Sequence, residues 1–375
     1  MTRKKPQKTP RHTSIVETSD STELSVEAAS PGTRFVAGMI DFLIVVCCST
    51  LIAALLSINP IFFQIAIFYF LDVGGILTLL LSATGLLGML FLFFFSFVYF
   101  TLEGIFGLSV GKYFFSLRIA GERKWENILL RSFIKSIPPV SLIDFLFVFK
   151  KLKYTQRYSD SFLALGIAKL KFESKKSKLF LNAEDTPYIV SGFIMFFLPL
   201  IVYVLYNTLF SQLPPAILPP DPESAFPYSP SISFLLQIFI NNFYLAYTYY
   251  VFGGLLLSFP MTMQVFFQGF TSGMMISGIL MSYPSFLLFG IIPHLLFEGL
   301  GFAFLIATGL ILTETLMDLF SRYRKGKSLS SNRSFLGTQL IRVIKLFLVG
   351  VLILFIGSLI EVYITPYILL NFYFY

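Results

Sequence analysis

The sequence contains few charged residues, and long stretches of it contain no basic residue. Asp, Glu, Lys and Arg make up only 13% of its 375 residues. Lys and Arg are absent from residues 35–111 and again from residues 179–321. Hydrophobic residues make up 56%, and the mean hydropathy is +0.79. These values exclude a soluble globular protein and predict an all-α polytopic membrane protein.

Cysteine is also scarce, and its placement excludes a disulfide framework or a cysteine metal site. Cys47 and Cys48 are adjacent in an apolar stretch, so we interpret them as packing residues. Residues 1–30 lack the apolar core of a cleavable signal peptide and are rich in Lys, Arg, Ser and Thr. They are predicted to form a disordered basic cytoplasmic tail.

The net charge of +8 could suggest a nucleic-acid partner, but the basic residues cluster in tails and loops between apolar runs. Residues 112–178 alone hold 15 Lys or Arg against 5 Asp or Glu. This is the positive-inside pattern, so we expect anionic lipid headgroups at the inner face rather than nucleic acid. It predicts a multi-pass protein of the cell membrane with a cytoplasmic N-terminus and an external C-terminus.

Apolar runs predict about seven transmembrane helices in two helical subdomains. The predicted spans are 35–56, 76–99, 188–210, 232–257, 261–281, 294–321 and 340–359. Residues 61–71 are too short to cross, and 128–149 is interrupted by basic residues and prolines, which favours a re-entrant or interfacial hairpin. The predicted domains are residues 31–171 and 187–362, joined by a linker at 172–186 and followed by a C-terminal end at 363–375.

Several ionisable residues interrupt apolar stretches. Arg34 opens the first span, where it can act as an anchor at the interface, and Asp41 lies two helical turns deeper. In the apolar run 283–321, Pro293 predicts a break between a half-helix at 285–292 and a spanning helix that begins at His294. Glu298 lies one turn further on, on the face of His294. Such groups need partners in hydrocarbon, so they predict a polar centre.

Four groups of motifs follow one another in the first half of the chain: Gly32-Thr33-Arg34 through Asp41; Tyr99-Phe100-Thr101-Leu102-Glu103; Gly107-Leu108-Ser109-Val110-Gly111-Lys112 with Leu117-Arg118-Ile119; and Gln156-Arg157-Tyr158-Ser159-Asp160. In this order they resemble the RDD family, membrane proteins named for one arginine and two aspartates. Leu165 stands where that family usually has Thr. The resemblance covers residues 31–171 and implies a membrane domain for which transport, including sodium/proton exchange, has been proposed in some members.

The loop from Gly107 to Lys112 lacks the spacing and the Ser or Thr after Lys that a nucleotide-binding P-loop requires. We therefore expect Gly107 and Gly111 to shape a turn, with Lys112 at the lipid headgroups.

The second half contains Asn241-Asn242 in a predicted span, small residues at Gly269, Gly273 and Ser277, and the pair His294 and Glu298. The small residues predict close helix packing. We expect Asn242, His294 and Glu298 to satisfy one another. A His paired with Glu298 would fix the break at Pro293.

These elements, together with Gln268-Gly269, Ile292-Pro293-His294-Leu295-Leu296-Phe297-Glu298 and Gly309-Leu310, resemble the stage II sporulation protein M family over residues 186–362. Gln268 replaces a usual Asn, and Leu295 a usual Gly. The resemblance implies five spans and a membrane complex that recruits cell-wall hydrolases in spore formers.

One His and one carboxylate are too few for a catalytic metal site, so we expect no metal, no cofactor and no enzyme activity. The first hypothesis is a scaffold that holds a protein partner in the membrane. The alternative is a transporter or ion/proton exchanger in which Asp41, Asp160 or Glu298 changes protonation.

Overall fold

The structure of the protein is a computed structural model that describes residues 26–55, 83–121, 124–137, 160, 163, 165–170, 184–210, 230–282 and 284–372. Helices dominate these residues, as the apolar composition predicts. The short apolar piece predicted at 61–71 and the part of the predicted hairpin from residue 138 to 149 lie outside the described residues.

The first half combines helices with three short strands. Its elements in chain order are β1 (Val26–Ala28), α1 (Pro31–Leu55), α2 (Ala83–Phe106), α3 (Val110–Phe114), β2 (Leu117–Gly121), α4 (Trp125–Ser136) and β3 (Leu165–Leu170).

The second half is helical throughout its described residues, and three of its helices contain a π-helical segment. Its elements in chain order are α5 (Thr186–Phe210), α6 (Ile232–Leu245), the π segment Ala246–Val251, α7 (Phe252–Leu255), α8 (Phe259–Ser282), α9 (Pro284–Phe286), the π segment Leu287–Ile291, α10 (Ile292–Arg324), α11 (Leu329–Leu359), the π segment Ile360–Ile364 and α12 (Thr365–Phe372).

Four helical stretches among the described residues are long and apolar enough to cross a bilayer: Pro31–Ser49, Thr186–Leu209, Leu287–Arg324 and Leu329–Ile368. The predicted count of seven spans is therefore not confirmed. Helix α2, the continuous helix of α6 and α7, and α8 lie where three further spans are predicted, but they are not among these four. The described apolar part of α2, Leu90–Phe106, is shorter than a typical span.

A small antiparallel sheet lies beside the helices of the first half and was not expected from the sequence. Its strand order is β1-β3-β2, with Val26 opposite Leu170 and Leu117 opposite Lys169. Strand β1 falls within the range predicted as the N-terminal tail. The sheet connects the start of α1 with the residues that follow α3 and with the segment after Asp160.

Helix α4 has its polar face turned inward and its apolar face turned outward. Arg131, Ser132 and Lys135 are buried, whereas Leu130 and Phe133 are exposed. A soluble protein would be destabilised by this arrangement, but a helix at a membrane interface can present its apolar face to lipid. The described part of the segment 128–149 is thus a helix with an inward polar face, and the predicted re-entrant or interfacial hairpin stays a prediction.

The predicted break near Pro293 takes a different form. The chain stays helical from Pro284 to Arg324, and the π segment Leu287–Ile291 leads directly into α10. Pro293 does lie in the first turn of α10, where its missing N–H is not needed. A local π-helical adjustment, rather than a separate half-helix, accommodates the proline.

One hydrophobic core joins the two halves. It contains Val36 and Ile40 of α1 together with Met195 of α5 and Leu305 and Leu310 of α10. The N-terminal helix therefore packs inside the same core as the bundle of the second half.

Candidate functional site

Seven ionisable side chains form a buried cluster in the first half, and none is more than 9% exposed. Six of them lie in α1, α2, α3 and α4, and the seventh, Asp160, lies between α4 and β3. The members are Arg34, Asp41, Glu103, Lys112, Arg131, Lys135 and Asp160. A charge-rich core of this kind requires that each charge be matched locally, because desolvation otherwise costs several kcal/mol per ion.

Asp41 is held by three hydrogen bonds. Its Oδ1 accepts from the Tyr99 hydroxyl and from the Gly111 backbone N–H, both at 2.8 Å, and its Oδ2 accepts from the Ser109 hydroxyl at 2.7 Å. The Lys112 Nζ lies 4.0 Å from Oδ2. Asp41 thus joins α1 to the end of α2 and to the start of α3, and it belongs to a polar centre as predicted.

Glu103 is the most heavily paired carboxylate. Its Oε1 receives the Lys112 ammonium and both terminal nitrogens of Arg131, the latter at 3.3 Å, and its Oε2 receives the Lys135 ammonium at 2.6 Å. Lys112 is therefore buried beside Glu103, and the expectation that it lies at lipid headgroups is wrong. The turn of α3 directs its side chain into the protein rather than towards the bilayer surface.

Asp160 bridges two arginines. Its Oδ2 accepts from Arg34 at 2.7 Å and its Oδ1 accepts from Arg131 Nε at 3.0 Å. Arg34 is thus an internal ion-pair partner and not an anchor at the interface. Burial alone would lower the pKa of the Arg131 guanidinium, but the carboxylates of Glu103 and Asp160 outweigh burial and raise this pKa above its ordinary value.

The two glycines of the loop have different tasks. Gly107 adopts a positive φ of 71°, a conformation that favours glycine, and its carbonyl accepts from the Ile119 N–H of β2. A Cβ at Gly111 would overlap the Ala37 carbonyl oxygen, so only glycine lets α3 approach α1 closely enough to reach Asp41. Gly107 thus shapes the turn as predicted, whereas Gly111 lies within α3 and allows its close contact with α1.

A second polar centre lies between α6, α10 and the end of α11. Asn242 donates to Glu298 Oε1 at 2.5 Å, and the carboxyl group of Glu361 lies close to that of Glu298. The approach depends on Gly357, one turn before Glu361, where a Cβ would press on the Glu298 side chain.

His294 belongs to the same region but contacts other groups. Its Nδ1 lies 3.5 Å from the Thr365 hydroxyl. Asn242 thus donates to Glu298 as expected, whereas the contact that the structure gives His294 is with Thr365 rather than Glu298.

The π-helical segments all border this second centre. One begins four residues after Asn242, one ends three residues before His294, and the third contains Glu361. Such segments interrupt regular helical hydrogen bonding and occur frequently at functional sites. In this chain the π-helical segments lie around the cluster of Asn242, Glu298 and Glu361.

Two acidic residues of α10 hold the start of α1. Asp318 Oδ1 accepts from the Gly32 backbone N–H at 3.0 Å, and Glu314 accepts from the hydroxyl groups of Thr33 and Tyr188. Carboxylates at a helix N-terminus satisfy its free N–H groups and are favoured by the helix dipole. This junction fixes α1 against the second half.

Sequence reasoning missed several of these residues. Arg131 and Lys135 stand one turn apart with apolar residues on the other face, a pattern that could have indicated an inward polar face. Glu361 is the one acidic residue of the last long apolar run, so the cost of a carboxylate in lipid was a usable signal. Glu103 ends one of the motifs, but its pairing was not indicated, and Glu314 carried no comparable signal, because the partners of both are distant in sequence.

Among the described residues, no three His, Cys, Asp or Glu side chains are grouped so that they could hold a metal ion. The long apolar helices define the class of the molecule as an integral helical membrane protein.

Residues 193–366 match the family model described as stage II sporulation protein M, which supports the resemblance noted for the second half. The match contains the second polar centre completely and excludes the buried charged cluster. No model of the RDD family matches the first half. No curated protein and no solved structure matches the chain.

Proposed function

We propose that the protein is a non-enzymatic membrane scaffold that holds a partner protein through its transmembrane helices, in a chain that fuses an RDD-like domain to a stage II sporulation protein M-like domain. The match over residues 193–366 supports the second domain. The buried cluster supports the first, because it brings Arg34, Asp41 and Asp160 together. The proposed location is the cell membrane, with a cytoplasmic N-terminus and an external C-terminus.

The observation that carries the scaffold proposal is the exposure of Asn241. It lies near the middle of the continuous helix 232–255, and its neighbour Asn242 points inward to Glu298. On the outer surface of the same helix, Ile240 and Tyr244 are exposed with it. An amide in contact with lipid is costly, whereas across a helix–helix contact it stabilises association by about 1–2 kcal/mol. Asn241 is therefore the residue at which a partner helix is expected.

The scaffold proposal is tested by replacing Asn241 with leucine and isolating the protein with its partners in a mild detergent. We expect Asn241→Leu to lose a membrane partner that wild type retains. Thr271→Val is the matched control, because Thr271 is also exposed in a predicted span but already bonds the Phe267 and Gln268 carbonyl groups of its own helix. Equal partner recovery from all three proteins, or no stable partner at all, would contradict the proposal.

A second candidate function is ion or proton exchange, and the neighbouring carboxyl groups of Glu298 and Glu361 favour it. Carboxyl groups at membrane depth beside irregular helix segments are typical of transporter sites. Asp41, by contrast, already accepts three hydrogen bonds, so it is poorly placed to release its contacts during a cycle. In proteoliposomes, ion or proton flux by wild type that is lost in Glu298→Gln would overturn the scaffold proposal. Asp41→Asn in the same flux assay measures the contribution of Asp41, which was also predicted to change protonation.

A further inference from the structure

The turn between α10 and α11 concentrates positive charge on an exposed surface. The hairpin tip, residues 320–335, consists of the end of α10, the turn and the start of α11. Residues 319–360 contain no Asp or Glu, and none of residues 322–335 is buried. The basic residues of the tip are Arg322, Arg324, Lys325, Lys327 and Arg333.

The charges at the end of the tip have no acidic partner among the described residues. Lys325, Lys327 and Arg333 take part in none of the ion pairs there, whereas each cation of the buried charged cluster is paired with a carboxylate. An unmatched basic surface attracts a partner of opposite charge and speeds its association.

The tip extends beyond the level at which the bundle leaves the predicted bilayer. Arg342 of α11 pairs at 2.8 Å with Asp185, which directly precedes the membrane-crossing helix α5. Leu329, where α11 begins, lies about 20 Å of helix further out than Arg342. The attraction of basic groups to anionic headgroups falls off within a Debye length of about 8 Å. The geometry therefore favours a protein over lipid headgroups as the partner of the tip.

The tip also carries the two most exposed large hydrophobic side chains that the structure describes. Leu329 is 88% exposed and Tyr323 is 77% exposed. Single exposed apolar residues are common, but apolar side chains rimmed by polar groups mark interaction sites. Leu329 and Arg333 lie four residues apart on one face of α11, so apolar and positive groups are presented together.

Contacts within the tip hold this surface in place. Arg322 lies over the Phe335 ring at 4.1 Å and so joins α10 to α11. The Ser328 hydroxyl caps α11 by accepting from the Ser331 N–H. A surface that is ordered before binding loses little conformational entropy when a partner binds.

We propose that the hairpin tip is a docking site for an acidic segment of a partner protein in the cytoplasm. Carboxylates of this segment contact Lys325, Lys327 and Arg333, and its apolar side chains contact Tyr323 and Leu329. The site is separate from the surface of α6 that contains Asn241, so either surface can fail its test while the other stands.

The first test measures binding of a fluorescent peptide of four Asp-Glu-Leu repeats to the full-length protein in phosphatidylcholine nanodiscs. We expect Lys325→Glu with Lys327→Glu to weaken binding about tenfold or more, because attraction becomes repulsion. Arg118→Glu with Lys169→Glu is the matched control, since it exchanges two exposed basic residues of the sheet and should bind as wild type does. Equal binding by wild type and both double variants would overturn the proposal.

Leu329→Ser distinguishes docking from a general attraction between opposite charges, because it leaves every charge in place. We expect it to bind the same peptide about fivefold more weakly, since the leucines of the peptide lose an apolar contact. Unchanged affinity would mean that the tip is only a charged surface, which contradicts the proposal.

A photo-crosslinking amino acid in place of Leu329 shows what the tip contacts in cells that produce the full-length protein. We expect an adduct with an acidic segment of a protein, identified by mass spectrometry, that disappears in Lys325→Glu with Lys327→Glu. An adduct with phospholipid, a protein adduct that survives both substitutions, or no adduct would refute the docking site.

Discussion

Glu103 illustrates how single residues hold the first half together. Its side chain is completely buried, and three cations converge on its two oxygens. Pairs of this kind add little stability relative to an apolar core, but removal of one partner leaves a charge buried without compensation. The energetic importance of Glu103 therefore lies in the three charges that it keeps matched.

We expect Glu103→Gln to lower the free energy of unfolding by about 3–5 kcal/mol, because glutamine keeps the shape of the side chain but removes the charge opposite Lys112, Arg131 and Lys135. Denaturation of the purified protein in detergent measures this loss. The double variant Glu103→Gln with Lys135→Met should lose less than Glu103→Gln alone, since one of the three opposing cations is gone. Additive losses in the double variant would show that these charges do not interact as described.

Some residues of both polar centres could be predicted from the sequence, because an ionisable side chain within an apolar helix costs free energy unless it has a partner. Asp41 lies deep in an apolar helix, and Glu298 does so in another, so each had to have partners. Asn242 was predicted as a partner of Glu298, but the partners of Asp41 and the proximity of Glu361 to Glu298 were not. His294 and Glu298 share a helical face, yet this face meets two elements, and Glu298 reaches Asn242 and Glu361 whereas His294 reaches Thr365.

At the scale of single elements, α4 exposes large apolar side chains on its outward face. Its outward side presents Leu130, Phe133 and Trp125, which is 58% exposed. Trp125 is the one tryptophan of the chain, so its fluorescence reports this face without any substitution.

We expect the emission of Trp125 in nanodiscs to be quenched strongly by lipids that carry bromine near the headgroup end of the chain, and less by acrylamide in the water. The reason is that α4 lies in the interface with its apolar face towards lipid. Trp125→Phe should remove the signal and serves as the blank. Stronger quenching by acrylamide than by brominated lipid would mean that this face meets water or another protein surface.

Helix contacts in the second half depend on glycines at points of backbone contact. A Cβ at Gly309 of α10 would overlap the Tyr250 carbonyl oxygen, and one at Gly254 would overlap the backbone of Gly309. Gly269 and Gly273 likewise place α8 directly on Pro199 and Tyr203 of α5. Close packing at these small residues agrees with the prediction from their spacing.

Gly309→Ala is expected to destabilise the protein by about 1–3 kcal/mol, because the added methyl group must push α10 away from the π segment that contains Tyr250. Gly337→Ala is the matched control, since a Cβ there meets nothing within 4 Å and alanine favours helix by about 0.5–1 kcal/mol. Thermal unfolding of both variants tests the contrast. Similar midpoints for the two would show that the bundle can relax around Gly309.

The ends of the long helices could be predicted from the sequence more reliably than the irregular segments could. The apolar runs predicted α1, α5 and α8 to within about four residues at each end. The π-helical segments depend on one extra residue in the hydrogen-bonding pattern, which neighbouring helices decide and local sequence does not. The strands escaped prediction because they are three to six residues long and lie between helices of an apolar protein.

At the scale of the whole molecule, two regions with different sequence resemblances share one buried core. Polar contacts reinforce it, because α10 holds the start of α1 through Glu314 and Asp318. The division into two parts was visible from motifs and from the charged segment between them. Their contact was not, because it depends on pairs separated by more than 150 residues in the chain.

If the two parts form one folded unit, they should remain together after the connection is cut. We expect full-length protein with a protease site inserted after Lys178 to elute as one species in mild detergent after cleavage, because α1 stays packed on α5 and α10. Gly32→Leu should release the first part, since a Cβ at Gly32 already meets the Glu314 backbone. Gly337→Leu, at an open position of α11, should not. Separation of the two fragments after cleavage of the protein without any substitution would mean that the shared core is too weak to hold them together. The charged cluster and the second polar centre would then be connected only by the covalent chain.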